Sequence, residues 1–392
     1  MKFIFISYWG INDGLTEATV IPNIKILAEL HDVQQIDLIT LEKNKFIEET
    51  SIHPRIRHHP IVSKAVNLPF IGKILDFIFI PQLIARIARI NHADYIIARG
   101  APAGALAYLS WKKTEIPFIV ESFEPHSKYM LESKVWSRLD LRYIFQSKWE
   151  SNIMKYASGL ITVSEHYKKR LIEFNRVNSP VMVAACAVDI ARFSFNLYKR
   201  NKIHADLRIK KNFISGIYVG KFGDIYYDDD AFSLFAYTYH FFKEKFFLII
   251  LSGDPKSRIL YQLQKSNFPV SNVFIDTVEH EEVADYLSAA DFGFAPIRKS
   301  ASKLYCSPIK TGEYWANGLP VMLTEGVSDE SLFIEAESGG AVFDINNPGP
   351  ALNKIEAIIK NENHRVEIPK LAEKYRSFKT VRLSYEKLIF NR

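Results

Sequence analysis

The segment CSPIKTGEYWANGLPV, residues 306–321, carries the side chains with the clearest chemistry. A Ser-Pro turn precedes a short helical pattern that ends at Gly318, before a new strand. Backbone amides at the start of this helix, joined by Ser307 and Lys310, could hold a diphosphate. Glu313, one turn later, could accept hydrogen bonds from two ribose hydroxyls. A surface helix with incidental charges explains the same residues, and physics alone gives the two interpretations similar weight.

Three consecutive aspartates, Asp228 to Asp230, suggest a different chemistry, because acidic clusters hold divalent metal ions. However, they directly precede a long helical pattern, AFSLFAYTYHFFKEK, and acidic residues in the first turn suit the helix dipole. They also follow a glycine-rich loop instead of ending a buried strand. The sequence therefore predicts helix capping here and no metal site.

Short apolar runs alternate with longer amphipathic stretches, which is typical of βα units and a parallel sheet. The predicted strands are Phe3–Ser7, Gln35–Thr40, Tyr95–Ala98, Phe118–Glu121, Gly159–Val163, Val181–Ala184, Gly216–Val219, Phe247–Leu251, Val273–Ile275, Phe292–Ala295, Pro320–Leu323 and Ala341–Phe343. Ligands of such sheets bind beyond the carboxyl ends of the strands. We therefore expect the chemistry in a cleft between two Rossmann-like lobes of an α/β fold.

The length of 392 residues suits two domains. We predict an N-terminal domain over 1–192 and a polar, basic linker over 193–211. A second domain is expected over 212–368, and a terminal helix over 369–392 that folds back towards the first lobe. In the first lobe Gly10 and Gly14 flank the loop GINDG after the first strand. These glycines either let backbone approach an acceptor or the donor phosphates, or form an ordinary βα turn.

Composition narrows the function classes. Cys186 and Cys306 are the only cysteines, which argues against a disulfide framework or a cysteine-rich metal site and favours a cytoplasmic protein. The net charge of +6 favours anionic partners. The sequence contains no zinc-finger spacing, no basic region followed by heptad repeats and no RNA-binding aromatic motif, so nucleic acid is not an expected partner.

Four segments together resemble glycosyltransferase family four. Residues 306–321 are similar to that family's SP-x-K-x-x-EY-x-A-x-G-x-PV signature. The blocks YVGKFGDIYYDDDAF from Tyr218 and VFIDTVEHEEVADYLSAADFGFAPIRKS from Val273 resemble its glycine-rich loop and nucleobase stretch. The pair ITVSEHYKKRL and VMVAACAVDIARF is similar to the end of its first lobe. The resemblance implies a retaining GT-B enzyme that takes a nucleotide-sugar in its second lobe, with no cofactor or metal.

The same resemblance implies individual roles. Lys221 and Lys310 would stabilise the leaving diphosphate, and Glu124 and His126, after the strand FIVE, lie with Glu121 where relatives place acceptor-side groups. The donor-binding residues would be Gly220, Phe222, Gly223, Val278, Ser307, Pro308 and Glu313.

Two departures from the family pattern stand out. Tyr305 occupies the position eight before Glu313 where many members have a second glutamate. Tyr227 and Asp228 lie where many members carry a second cation followed by glycine. Lys310 is therefore the candidate for the missing charge.

The segment Phe70–Ile90, FIGKILDFIFIPQLIARIARI, combines apolar and basic residues but is interrupted by charges, so a membrane span is not predicted. It is either an interfacial face that meets a lipid-linked acceptor or an internal helix pair.

The function expected from this evidence is transfer of a hexose or acetamido-hexose from a nucleotide-sugar to a glycan or lipid-linked acceptor, in surface polysaccharide assembly. A UDP-sugar is favoured over a GDP-sugar. The enzyme would be cytoplasmic, with peripheral membrane contact as an option. The alternatives are a sugar-nucleotide epimerase on the same scaffold and a catalytically silent nucleotide-sugar-binding subunit.

Overall fold

The computed structural model describes residues 1–44, 51–64 and 69–390. It divides into two compact units, which are described separately. Unit 1 comprises Met1–Ala187 and Phe378–Arg392, and unit 2 comprises Val188–Ser377.

In the described residues of unit 1, seven strands form one parallel sheet in the order β3-β2-β1-β4-β5-β6-β7. Its strands are β1 (Lys2–Ser7), β2 (Gln35–Glu42), β3 (Ile56–Val62), β4 (Tyr95–Arg99), β5 (Phe118–Phe123), β6 (Gly159–Thr162) and β7 (Val181–Val183). Its helices are α1 (Ile21–Glu29), α2 (Pro69–Ile90), α3 (Gly100–Thr114), α4 (His126–Glu132), α5 (Leu141–Tyr156), α6 (Glu165–Glu173) and, at the end of the chain, α16 (Phe378–Phe390). A π-helical turn, Thr16–Val20, precedes α1.

In the described residues of unit 2, six strands form a second parallel sheet in the order β10-β9-β8-β11-β12-β13. Its strands are β8 (Ile214–Val219), β9 (Phe246–Leu251), β10 (Val273–Asp276), β11 (Phe292–Ala295), β12 (Val321–Thr324) and β13 (Gly340–Phe343). Its helices are α7 (Leu197–Asp206), α8 (Asp229–Phe241), α9 (Lys256–Lys265), α10 (Val283–Ala289), α11 (Ile309–Ala316), α12 (Glu330–Phe333), α13 (Gly349–Ile359), α14 (His364–Glu367) and α15 (Pro369–Arg376). Short 3₁₀ turns cover Val270–Asn272 and Ala301–Tyr305.

The central strands are apolar over most of their length, as is typical of parallel sheets that are covered on both faces. Strand β9, FFLIIL, is buried throughout, and β1, KFIFIS, is buried after its first residue. Both sheets reverse their strand order next to their first strand, between β1 and β4 and between β8 and β11. In open α/β sheets this reversal is where ligands bind, so the loops after β1 and β8 are the first places to examine.

The predicted α/β fold with two parallel sheets is confirmed. Strand β3 was missed, because its sequence IRHHPIV is polar, half exposed and interrupted by Pro60, as an edge strand tolerates. The predicted linker over 193–211 contains helix α7 within unit 2. The C-terminal segment holds two helices, of which α15 lies in unit 2 and α16 in unit 1.

The sequence left open whether Phe70–Ile90 is an interfacial face or an internal helix pair, and the structure of helix α2 excludes the helix pair. Residues Pro69–Ile90 form a single helix that includes Pro81, and not a helix pair. None of the helices in the described ranges is long and apolar enough to cross a membrane.

Candidate functional site

Lys310 is the central residue of the candidate site in unit 2. It is nine-tenths buried in the second position of α11, and its ammonium faces the rings of Tyr226 and Tyr218 at 4.3 and 4.8 Å from their centroids. Within the described part of the chain Lys310 Nζ has no hydrogen-bond partner. Burial lowers the pKa of Lys310 to about 7, and the negative charge of Glu313 opposes this shift. A buried ammonium without a hydrogen bond is costly, so its cation–π contacts stabilise it only in part.

The loop after β8 passes directly over this ammonium. A Cβ added to Gly220 would lie 3.0 Å from Lys310 Nζ, and Gly220 has a φ of +135°, which side chains rarely adopt. Gly223 also has a positive φ, of 83°. The glycines therefore let the backbone turn sharply beside a buried cation at the strand reversal of the sheet.

The other two loop residues are engaged within the protein. Phe222 stacks on Phe232 with a centroid distance of 4.5 Å, and its amide donates to Asp254 Oδ2 at 2.7 Å. Lys221 is more than half exposed and its Nζ lies 2.7 Å from Asp224 Oδ2. In this conformation the ring of Phe222 packs in the core and its amide is already hydrogen-bonded, so it is not free to bind a phosphate. Lys221 is already ion-paired.

Arg258, which sequence reasoning missed, supplies a cation beside the same loop. Its guanidinium reaches both oxygens of Asp228, at 2.6 and 2.5 Å, and lies 3.6 Å from Asp254 Oδ2. Asp228 occupies one of the two positions where the family pattern led us to expect a cation and a glycine. A cation beside the loop thus comes from α9, about thirty residues later in the chain, where no local motif indicates it, and it is paired with Asp228 and Asp254.

Tyr314 joins the two strands that flank the reversal. The amide of Val219, at the end of β8, donates to Tyr314 Oη at 3.1 Å, and the ring lies against Gly293 of β11. A Cβ at Gly293 would come within 2.3 Å of that ring. The tyrosine of the EY pair therefore holds α11 against the start of the glycine loop.

The turn before α11 is fixed by a buried arginine. Arg376 is fully buried, donates to Ser307 Oγ and to the carbonyl of Pro308, and forms an ion pair with Glu330. In the first turn of α11 the amide of Thr311 donates to the carbonyl of Pro308 at 3.2 Å, whereas the two amides before it precede the regular hydrogen bonds of the helix. Ser307 and Pro308 are thus held rigidly where an anion would meet these amides.

Glu313 lies on α11 one turn after Lys310 and is buried, with 7% of its surface exposed. Its Oε1 lies 3.3 Å from His280 Nε2, and His280 Nδ1 lies 2.9 Å from a guanidinium nitrogen of Arg192. His280 follows β10 two residues after Val278, which packs half-buried against the core. The structure therefore brings Val278, His280 and Glu313 into one region, although only Val278 and Glu313 were expected there.

In unit 1 the two loop glycines behave differently. A Cβ at Gly10 would collide with Glu42 Oε2 at 2.3 Å, and Glu42 Oε1 accepts from the amide of Ile11 at 2.9 Å. Gly14 has no heavy atom within 4 Å of an added Cβ. A side chain at Gly10 would therefore displace the Glu42 carboxylate, whereas the space around Gly14 is open.

The candidate residues around the end of β5 fall into two groups with different surroundings. Glu121 is buried, pairs with Arg99 at 2.7 Å and accepts from Tyr385 of α16. Glu124 and His126 are half-buried beyond the strand end, and the ring of His126 lies edge-on to Trp136. Glu121 thus ties α16 into unit 1, while Glu124 and His126 remain candidates on the acceptor side.

Two of the three consecutive aspartates are paired with cations. Asp228 pairs with Arg258, and Asp229 Oδ2 lies 2.9 Å from Lys265 Nζ. Across residues 1–44, 51–64 and 69–390, no group of three or more His, Cys, Asp or Glu side chains is placed to hold a metal ion.

Comparison with known proteins adds a family match. Residues 26–192 match the family model described as Glycosyltransferase Family 4. This match covers the N-terminal part of the chain, whereas most of the motifs quoted above lie beyond it. No curated protein sequence matches the chain.

Solved structures with the same fold cover nearly the entire chain. Sucrose-phosphate synthase from Thermosynechococcus elongatus is 14% identical with a TM-score of 0.74, covering 100% of this chain and 98% of its own. Anabaena HepE in complex with UDP is 12% identical with a TM-score of 0.69, covering 100% of both chains. WaaG, a glycosyltransferase involved in lipopolysaccharide biosynthesis, is 14% identical with a TM-score of 0.67, covering 99% of both. The fold is that of GT-B glycosyltransferases, and with the family match it supports a transferase enzyme.

Proposed function

We propose that this protein is a retaining, metal-independent glycosyltransferase that uses a nucleotide-diphosphate sugar bound in unit 2. The observation that carries the proposal is Lys310. Its ammonium is buried beneath the glycine loop without a hydrogen bond from the described residues, one turn before a buried carboxylate. A diphosphate over the start of α11 would meet the helix amides and this cation together.

Leaving-group stabilisation would supply most of the catalysis. Negative charge grows on the diphosphate as the bond to the sugar breaks, and preorganised donors in a water-poor site stabilise that charge strongly. Lys310 and the α11 amides fill this role, with Lys221 joining once its ion pair with Asp224 opens. The departing phosphate takes the acceptor proton on the same face of the sugar, so no strong general base is required.

The nucleotide is proposed to be uridine-based. Glu313 would accept hydrogen bonds from ribose hydroxyls, and the backbone near Val278 would contact the base. The solved Anabaena HepE contains UDP-glucose in one structure and UDP in another, and its fold matches this chain over the full length. Metal independence is proposed because the aspartates nearest the loop, Asp228 and Asp229, are neutralised by Arg258 and Lys265.

The acceptor is proposed to be a glycan or a lipid-linked saccharide in surface polysaccharide assembly, reached by peripheral contact with an anionic membrane. Helix α2 exposes a stripe of apolar side chains at helical spacing, Ile71, Ile74 and Ile78, each about half exposed. Arg86 is exposed on the same helix, within about 80° of Ile71 and Ile78 around the helix axis. Apolar and basic side chains together on one helix suit an anionic lipid surface.

A thermal-shift panel of nucleotides and nucleotide-sugars, followed by turnover assays, tests the function. We expect UDP and a UDP-sugar to stabilise the protein, and a ligand at about 100 times its Kd stabilises by about 2.7 kcal/mol. Slow hydrolysis of the donor should accompany binding. Conversion of the donor to its epimer without acceptor would overturn the proposal in favour of an epimerase. Binding with neither transfer nor hydrolysis would indicate a silent subunit.

A further inference from the structure

A chain of hydrogen bonds runs from Arg192 through His280 to Glu313. The guanidinium nitrogen Nη2 of Arg192 lies 2.9 Å from His280 Nδ1, and His280 Nε2 lies 3.3 Å from Glu313 Oε1. The imidazole is also packed edge-on against the ring of Phe193 at 5.6 Å. All of these residues belong to unit 2.

The hydrogen-bonding chemistry of Arg192 and Glu313 determines which nitrogen of His280 carries the hydrogen. A guanidinium can only donate hydrogen bonds, so His280 Nδ1 must be the acceptor and cannot carry a hydrogen. The remaining nitrogen, Nε2, then carries the hydrogen and donates it to the Glu313 carboxylate. Arg192, whose Nη2 also lies 3.1 Å from Glu281 Oε1, therefore favours this tautomer of His280.

This arrangement orients the carboxylate. One oxygen of Glu313 is held by His280 Nε2–H, which leaves the other available to hydroxyl donors. Glu313 is almost fully buried, whereas the side chain of His280 is 39% exposed and that of Arg192 33%. The partly exposed side chains of Arg192 and His280 thus control the orientation of the buried Glu313 carboxylate. Without them, only packing would limit the rotation of that carboxylate.

We propose that Arg192 and His280 are positioning residues that fix the Glu313 carboxylate for the vicinal hydroxyls of a ribose. The inference rests on the proposed nucleotide site. It assigns discrimination between ribose and deoxyribose to a three-residue relay that includes two side chains outside the signature segment.

The tautomer is measured directly on the unliganded protein. Nitrogen-15 NMR of the labelled protein, with His280→Phe used to assign the signal, should show a hydrogen on Nε2 and none on Nδ1 of His280. Arg192→Met should shift the ring towards a mixture of tautomers. A wild-type ring with its hydrogen on Nδ1 would overturn the relay, and this result does not depend on any nucleotide.

The consequence for binding is measured with UDP, 2′-deoxy-UDP and 3′-deoxy-UDP by calorimetry. His280→Phe keeps the ring contact with Phe193 but removes both nitrogens, and it should weaken UDP binding about tenfold. At least one deoxy nucleotide, which lacks a hydroxyl partner for Glu313, should lose much less. His280→Gln, which can still accept from Arg192 and donate to Glu313, should recover part of the affinity.

The two proposals fail in different ways. Equal losses for UDP and both deoxy nucleotides in His280→Phe would contradict the positioning role while leaving the nucleotide site intact. A wild-type protein that binds none of the three nucleotides, but shows the expected tautomer, would contradict the uridine assignment and retain the relay. His31→Ala, at a histidine whose side chain is 95% exposed in unit 1, is the matched control and should change nothing.

Discussion

The Lys310 ammonium lies 4.3 Å from the centre of the Tyr226 ring and 3.0 Å from the position that a Cβ of Gly220 would take. An aromatic face and a glycine loop therefore enclose a cation that the described residues leave without a hydrogen bond. A buried ammonium interacts more strongly with a bound anion than an exposed one does, because folding has already removed it from water.

Lys310→Met keeps most of the side-chain stem and removes the charge. We expect turnover to fall at least ~100-fold with a smaller loss of donor affinity, because the interaction strengthens as charge develops on the leaving diphosphate. Steady-state kinetics with calorimetric Kd values measure both quantities. Lys202→Met, at an exposed lysine of α7, is the matched control. Near wild-type turnover in Lys310→Met would assign the stabilisation to another group.

The pH dependence of donor binding follows from the same residue. Burial lowers the pKa of Lys310 from 10.5 to about 7, so the free protein loses this charge as the pH rises through about 7. A bound diphosphate favours the charged form and raises the pKa again. Donor affinity should therefore be highest below pH 7 and fall by up to about tenfold per pH unit above it, with proton uptake on binding.

Calorimetry between pH 6 and 9 in buffers of different ionisation enthalpy measures both the affinity and the proton uptake. Lys310→Met should remove the dependence above pH 7, while any titration of the nucleotide itself remains in both proteins. Identical pH profiles for the two proteins would show that Lys310 does not titrate in this range.

The sequence predicted those parts of the fold that depend on local pattern. Strand β9 and its neighbours are apolar runs, and the signature segment shows its turn, helix and carboxylate in a few residues. Strand β3 was not recognised because an edge strand needs no apolar run. Helix α7 was not recognised because its basic outer face hides a single buried residue, Ile203.

The site was less predictable where its geometry depends on distant contacts. Arg258 and Arg376 reach the loop and the α11 turn from remote helices, and their roles follow only from tertiary packing. Phe222 was expected in a phosphate loop, yet aromatic packing draws its ring into the core. His280 sits within a quoted motif, but its link to Glu313 required the spatial approach of two elements.

Removal of the Glu313 carboxylate should weaken donor binding. A charge-assisted hydrogen bond contributes about 1.5 to 3 kcal/mol, so Glu313→Ala should lose roughly ten- to hundredfold in nucleotide affinity. Calorimetry on a variant with a wild-type circular dichroism spectrum measures this loss. Glu279→Ala, at an exposed carboxylate in the loop after β10, is the control. Unchanged affinity in Glu313→Ala would refute the ribose assignment.

Chelation tests the proposed metal independence. Transfer should persist after prolonged treatment with a strong chelator, because Arg258 and Lys265 neutralise Asp228 and Asp229. Activity is compared before and after treatment, and again after addition of magnesium or manganese. Loss of transfer that either metal restores would make the aspartates candidate ligands and would require Arg258 to release Asp228.

The exposed face of α2 predicts binding to anionic vesicles. Ile74 and Ile78 are each 47% exposed one helical turn apart, and burying an isoleucine in an apolar environment is worth about 1.5 to 3 kcal/mol. The double variant Ile74→Glu with Ile78→Glu should therefore bind vesicles containing phosphatidylglycerol at least about tenfold more weakly. Cosedimentation measures the bound fraction.

Arg86 should make the same binding sensitive to salt and to lipid charge, because a basic residue near an anionic surface contributes about 1 kcal/mol that ions screen. Vesicles of neutral lipid should bind the wild-type protein less tightly than anionic ones.

Leu332→Glu, at a side chain of unit 2 that is 66% exposed, controls for the general effect of an added acid. If the α2 double variant and Leu332→Glu bind as well as the wild type, α2 is not the membrane contact. A loss common to both variants would mean that the protein responds to net charge, since only a loss confined to α2 identifies that helix as the surface that meets the lipid.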